Sequence, residues 1–215
     1  MLSADDYLKF FHEIKNSITL INSSLQLISK EHPEVASYEL WGDTMSEIKY
    51  LRAMIIEFSK SGVCTSINIE PTSMSIFLKD LIHSIDHFSP DTNFHCEANI
   101  SGRIPILNVD SMRLKQAIMN LIKNSFEAMN QTGTIQLNAF VREKSFILEI
   151  VDHGGGLKNG TENSLYQLFF TTKPDGTGLG LPITKQIIEL HNGYLLCDNR
   201  PNDGCTFTIC LPIEN

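Results

Sequence analysis

Residues 151–181 read VDHGGGLKNGTENSLYQLFFTTKPDGTGLGL, and the rest of the chain is arranged around them. Two glycine clusters, Asp152-His153-Gly154-Gly155-Gly156 and Gly176-Thr177-Gly178-Leu179-Gly180-Leu181, enclose Phe169-Phe170-Thr171-Thr172-Lys173. Glycine has no Cβ, so backbone amides in such clusters come close to a ligand. Amides of this kind ahead of a helix N-terminus favour phosphate. Pro182 falls where a first helical turn accepts it, so a helix is expected over 183–190. A GxGxG by itself is more often a plain turn than a ligand site. No Gly-Lys-Ser/Thr follows, so this is no P-loop, and a loop rather than a strand leads in, so it is no dinucleotide fingerprint.

The 215 residues allow one large domain or two small ones. With 42% hydrophobic and 20% charged residues the chain has an ordinary globular composition. A net charge of -8 argues against duplex nucleic acid as a partner. The five cysteines, Cys64, Cys96, Cys197, Cys205 and Cys210, are odd in number and form no CxxC. Neither a disulfide framework nor a zinc site is suggested, and a reducing, cytoplasmic setting is expected. No apolar run reaches membrane-spanning length, and no signal peptide is apparent.

Tyr7, Phe11, Ile14, Ile18, Ile21, Leu25 and Ile28 are alternately four and three residues apart, the a/d seam of one long helix. Glu31-His32-Pro33-Glu34 breaks it, and Trp41, Met45, Ile48, Leu51, Ile55 and Phe58 form a second apolar stripe. The expected antiparallel hairpin has too little core to stand alone, so two copies should pair as a four-helix bundle. His12 lies one position off the seam. A helical histidine is usually a plain surface residue; what shifts the reading here is Glu13 beside it, able to take a proton from the imidazole, and Asn16 one turn on along the same face. Residues 59–66 read as a linker flexing near Gly62, and 67–70 as a short strand.

A helix is expected over 75–88, in which His83 and His87 have metal-ligand spacing but no third ligand in view. Strands are expected over 94–98 and 106–109. Asp110 should cap a helix running to Met129, with Leu114, Ala117, Ile118, Leu121, Ser125 and Ala128 as its buried face and Asn120, Asn124 and Glu127 along the edge. The two asparagines fit boundary polar groups. They also fit amide ligands for a hard cation held together with phosphates. Strands over 134–141 and 145–151 form a hairpin that delivers Asp152, and 194–198 and 205–211 form the last one. From 67 onward the expected class is α+β, helices against one face of a mixed sheet.

Several of these stretches together resemble the catalytic core of a two-component sensor histidine kinase. Phe11-His12-Glu13-Ile14-Lys15-Asn16 resembles the H-box, and Asn120-Leu121-Ile122-Lys123-Asn124-Ser125 the N-box. Asp152 to Gly156 is similar to the G1 box, Leu168-Phe169-Phe170-Thr171-Thr172-Lys173 to the F-box, and Gly176 to Leu181 to the G2 box. All five stand in the family's order. The short Pro174-Asp175 join most resembles the nitrogen-regulation and sporulation type. The resemblance implies a dimerisation and phosphotransfer hairpin over 1–62 and an α/β-sandwich ATP-binding domain of the GHKL (Bergerat) type over 67–215.

It implies ATP and Mg²⁺ as ligands, and ATP-dependent phosphorylation of His12 followed by transfer to an aspartate of a response regulator. The resemblance extends to a phosphatase activity on the same regulator. Glu13 would serve as the acid–base carboxylate, and Asn16 would orient water for dephosphorylation. Asn124 would hold the metal, with Asn120 and Lys123 beside it. Asp152 would accept from the adenine amino group, with Gly154 and Gly156 shaping that pocket. Phe169, Phe170, Thr171, Thr172 and Lys173 would belong to a mobile lid, and Gly176, Thr177, Gly178, Leu179 and Gly180 would lie along the triphosphate.

Two alternatives on the same fold are an ATP-inactive phosphotransferase or scaffold, and an ATPase or serine kinase. The chain departs from the family at Ser17, where a helix-bending proline is usual, so a stiffer or displaced hinge is expected. No sensor domain precedes Tyr7. Either a sensory segment belongs in front of it or the signal comes from a separate protein.

Overall fold

The computed structural model describes residues 4–38, 40–49, 51, 67–86, 93–158, 160–173 and 176–213, and the side chains of these except at 4–12 and 163. The chain divides into two units, Met1–Thr65 with Thr171–Leu179, and Ser66–Phe170 with Gly180–Asn215.

In the first unit, α1 (Ala4–Glu31) runs unbroken through Ser17. Where a proline would remove a hydrogen bond, the Ser17 hydroxyl adds one, donating to the Glu13 carbonyl at 3.0 Å. Pro33 then opens a short 3-10 turn, Pro33–Ser37, and helix resumes over 40–49 (α2). Of the seam, Ile18 is buried and Ile14 and Leu25 are half-buried, joined by buried Asn22. Ile21 and Ile28 stay 46% and 41% exposed, with Leu20 and Leu27 exposed as well. The side chains of Tyr7, Phe11 and His12, and residues 52–66 with Ile55, Phe58, Gly62 and Cys64, lie outside the described residues.

The second unit is built on a five-stranded sheet of order β2-β4-β5-β7-β6. Its strands are β2 (Phe94–Ile100), β4 (Gly133–Arg142), β5 (Ser145–Val151), β6 (Tyr194–Arg200) and β7 (Gly204–Pro212). Only the β2–β4 pairing is parallel. A separate antiparallel pair joins β1 (Glu70–Ser73) to β3 (Ile106–Val109). Helices α3 (Met74–Asp86), α4 (Ser111–Ala128) and α5 (Gly180–Leu190) pack against the sheet and one another.

Alternation along the strands produces the core. Leu137, Ile150 and Phe207 stand opposite one another in register, as do Ala139, Leu148 and Ile209, and all six are buried. Ile118, Leu121 and Ile122 of α4 and Ile187 and Ile188 of α5 are fully buried. Phe94 and Phe126 meet edge to face with centroids 4.9 Å apart.

Several boundaries differ from the sequence reading. The first strand starts at Glu70 rather than at 67, because its register is set by pairing Glu70 with Val109. On α3, Met74 and Phe77 are buried while Ile76 is exposed. Ala128 is exposed, and Ile122 and Phe126 take the inward positions instead. Helix α5 starts at Gly180, so the last glycine of the second cluster is already helical. His87 lies outside the described residues, and among these no group of three His, Cys, Asp or Glu side chains is placed to hold a metal. Cys96, Cys197, Cys205 and Cys210 are free thiols.

Candidate functional site

Strand β5 carries Asp152 to the edge of the core, where it is only 3% exposed. A carboxylate buried so far needs hydrogen-bond donors, and three reach it. Gly154 N–H donates to Oδ1 at 2.9 Å and Cys205 N–H to the same oxygen at 3.2 Å. The Ser125 hydroxyl, on the buried face of α4, donates to Oδ2 at 3.1 Å. Each carboxylate oxygen accepts about two bonds. Oδ1 is therefore filled from inside, and Oδ2 keeps one acceptor direction for a donor from a ligand.

The first glycine cluster is clamped onto the β6–β7 turn. Asp152 N–H donates to the Cys205 carbonyl at 2.9 Å, Gly155 N–H to the Asp203 carbonyl at 3.2 Å, and Asn202 N–H to the Gly155 carbonyl at 2.9 Å. His153 Nδ1 lies 3.0 Å from Asp203 Oδ1, and Arg200 Nη1 lies 3.1 Å from Oδ2. The His153 bond, ahead of the Arg200 charge, holds the Asp203 carboxyl below its usual range. Gly154 must be glycine for reasons of space: a Cβ there would stand 2.6 Å from Ala128 Cβ and 2.8 Å from its main chain. Sequence reading placed Gly154 in the pocket, and the structure shows that it is what lets the loop lie against the end of α4. An open cleft of about 470 Å³ lies along Ala128, Met129, Gly154 and Gly155, and Asp152 is not among its walls.

Helix α4 is fixed at its start and presents its polar edge to α5. Asp110 caps it, accepting from Arg113 N–H at 3.0 Å through Oδ1 and from Asn68 N–H at 3.0 Å through Oδ2. Burial pushes the Asp110 carboxyl up, but those two backbone bonds, with the charge of Arg113, bring it below its usual value. Buried His191 accepts from Asp110 N–H at 2.9 Å through Nε2. Its Nδ1 lies 2.7 Å from the Ile187 carbonyl, so the proton sits on Nδ1. Asn120 donates to the Thr184 hydroxyl of α5 at 2.9 Å. Asn124 stands half-buried one turn further on, and Lys123 is exposed, 3.9 Å from Glu127.

Between the glycine clusters, Phe169 is 51% exposed with φ of 67°, and Phe170 is half-buried. In the segment that follows, the Thr171 hydroxyl accepts from Lys173 N–H at 3.1 Å, and Gly176 N–H donates to the Lys173 carbonyl at 3.2 Å. This is a small closed turn in which Thr172 is exposed. Pro174 and Asp175 lie outside the described residues. Thr177 and Gly178 are half-buried, and Leu179 is wholly buried. Glu13 and Asn16 are exposed on α1, which also carries His12.

The structure thus joins Asp152 to the buried face of α4 through Ser125 and lays Gly154 against Ala128 at the end of that helix, while Asn120 of the polar edge faces α5. Four residues of this framework escape a motif reading: Thr184, His191, Asn199 and Asp203. A hydroxyl on the otherwise apolar face of α5 was the available signal for Thr184, and an imidazole just past the end of that helix for His191, since buried polar groups require partners.

Residues 109–215 match the family described as histidine kinase-, DNA gyrase B-, and HSP90-like ATPase (HATPase_c). Over nearly its whole length the chain is similar to bacterial histidine kinases. It is 27% identical over 205 residues to sporulation kinase C of Bacillus subtilis (strain 168), covering 95% of this chain and 47% of that protein. It is 30% identical over 217 residues to sporulation kinase A of the same organism, covering 94% and 33%. The fold matches that of the histidine kinase AdeS of Acinetobacter baumannii, with a TM-score of 0.65, 18% identity, and 95% and 98% of the two chains covered. The chain spans about half or less of the length of the curated relatives it matches. The chain is thus similar over nearly its whole length to the catalytic core of two-component histidine kinases, with the GHKL ATP-binding fold in its C-terminal part.

Proposed function

We propose that the chain phosphorylates itself on His12 from ATP and passes the phosphoryl group to an aspartate of a response regulator. The observation that carries this reading is Asp152, a buried carboxylate with three internal donors and one acceptor direction left. That is the arrangement an exocyclic adenine amine would complete. Gly154 and Gly156 shape the floor beside it. The second cluster, Gly176, Thr177, Gly178, Leu179 and Gly180, runs into the N-terminus of α5, where amides and the helix dipole favour phosphate. Phe169, Phe170, Thr171, Thr172 and Lys173 lie along the segment that would fold over the nucleotide.

Asn124 would supply an amide oxygen to Mg²⁺, with Asn120 and Lys123 alongside. This suits an ion that arrives with the phosphates and needs few protein ligands. The ion would neutralise charge as the phosphoryl group leaves ATP. A neutral imidazole is nucleophilic near its ordinary pKa of about 6.5. The exposed Glu13 would take its ring proton as the bond to phosphorus forms, and Asn16 would orient water in the reverse, dephosphorylating reaction.

The hairpin, assigned to 1–62, would work as a homodimer. Ile21 and Ile28 lie beside the buried Ile18 face and remain exposed in the single chain, so a second hairpin would cover them. The catalytic domain is assigned to 67–215. The free thiols suit a cytoplasmic setting, with the signal relayed from a sensory part or a separate protein.

The test is transfer of label from γ-labelled ATP with Mg²⁺. Acid-labile, alkali-stable label on the chain is the expected result. Acid-stable label would indicate a serine kinase, and no label with no nucleotide binding would leave a phosphotransferase or scaffold.

A further inference from the structure

The segment joining the two glycine clusters starts at Leu157, and a single side chain from another strand holds that start. Asn199 of β6 stands opposite Cys205 of β7, whose carbonyl in turn accepts from Asp152 N–H. Asp152, Cys205 and Asn199 therefore form one row across three neighbouring strands. From that row Asn199 Oδ1 accepts from Leu157 N–H at 2.7 Å and from the Cys205 thiol at 3.7 Å. Its amide nitrogen donates to Glu162 Oε1 at 2.9 Å and to the Leu157 carbonyl at 3.4 Å.

All of the bonding capacity of this one amide is thus spent on the segment's root and on the strand row that carries Asp152. Gly156 makes the approach possible. With φ of 78°, a Cβ there would stand 2.8 Å from Asn199 Oδ1 and 2.7 Å from the Arg200 carbonyl. The Glu162 carboxyl is held below its usual range by its own backbone N–H and by Asn199. Glu162 opens the short turn Glu162–Ser164, and buried Leu165 follows.

We propose that Asn199 is a positioning residue that pins both ends of the 157–162 loop to the Asp152 row, so that the hold on nucleotide depends on the Asn199–Glu162 pair. This rests on the reading that Asp152 receives the adenine. The loop begins one residue after the cluster that lines Asp152. Slack at Leu157 would therefore reach the pocket before it reached the sheet, whose own strand pairing does not use the Asn199 side chain.

The experiment is calorimetric titration of the whole chain with a non-hydrolysable ATP analogue and Mg²⁺, alongside melting curves without nucleotide. Asn199→Asp keeps the acceptor for Leu157 but sets a carboxylate against Glu162. Its affinity should fall by about tenfold, the scale of one hydrogen bond to a charged group, with melting little changed. Glu162→Gln alone should bind like the parent, since its amide oxygen still accepts from Asn199. The double variant Asn199→Asp with Glu162→Gln restores a donor–acceptor pair in the opposite sense and should recover affinity to within about twofold.

Rescue distinguishes a positioning role from general damage to the fold. Asn199→Asp binding like the parent, or a double variant no better than Asn199→Asp, would overturn the anchor and leave the ATP reading standing. A parent chain that binds no analogue would overturn both. Should Asn199→Asp not fold, Glu162→Leu provides the comparison: weakened binding supports the anchor, and unchanged binding overturns it.

Discussion

In the sheet unit, helices α3, α4 and α5 cover one side of the sheet, and Leu121, Ile150 and Ile209 are wholly buried. In the hairpin, a 28-residue helix buries Ile18 and leaves Ile21 and Ile28 open, 46% and 41% exposed. The polar residues differ in the same way. Asp152, Ser125 and His191 are buried and bonded to named partners, while Glu13 and Asn16 stand in solvent. A unit that holds a nucleotide must organise a pocket in advance, which requires a closed core around buried polar groups. A unit that presents a nucleophile must keep it reachable, and on the proposed reading a second copy would complete its core.

Breaking the sheet side of this contrast should have the largest effect. Asp152→Asn places an amide among three donors that need an acceptor. Nucleotide affinity should fall by about a hundredfold or more, since a ligand bond is lost and an internal donor is left unpaired. Titration of the variant measures this, and affinity within a fewfold of the parent would remove Asp152 from the pocket.

On the hairpin side, Ile21→Glu with Ile28→Glu should turn a dimer into a monomer in sedimentation while leaving nucleotide affinity unchanged. A dimer that persisted would place the interface elsewhere.

Smaller effects sharpen the comparison. Gly154→Ala drives a methyl into Ala128 and should destabilise the sheet unit by about 1–3 kcal/mol, as overpacking does, read as a lower melting temperature. Asp110→Ala removes the cap of α4 and should cost about 1 kcal/mol in denaturant unfolding. The Asp110 carboxyl lies below its ordinary value of 3.8 in the folded chain. Its contribution is therefore present above that value and fades as pH falls through the lower folded value. A parent and Asp110→Ala pair whose stability difference failed to shrink in acid would contradict that assignment.

Much of the framework could be read from spacing because local rules and tertiary packing agree there. Asp110 caps α4, the strands alternate, and Glu143 with φ of 55° turns the β4–β5 hairpin as expected. What spacing could not give was cross-strand register. Nothing local to Asn199 says that it stands opposite Cys205 and reaches Leu157, 42 residues away in sequence. Likewise, the seven-residue seam of α1 could not say how it divides between the hairpin's own second helix and a second copy. Ile21 and Ile28 are the seam positions left exposed on α1. At Ser17, where the family's usual proline is absent, α1 runs unbroken and the hydroxyl donates to the Glu13 carbonyl.

The most direct measurement compares the parent with His12→Ala for ATP affinity and for incorporation of label from γ-labelled ATP. The division of roles between the two units predicts equal affinity and complete loss of acid-labile label. Label that survives the substitution, or nucleotide binding that disappears with it, would contradict that division.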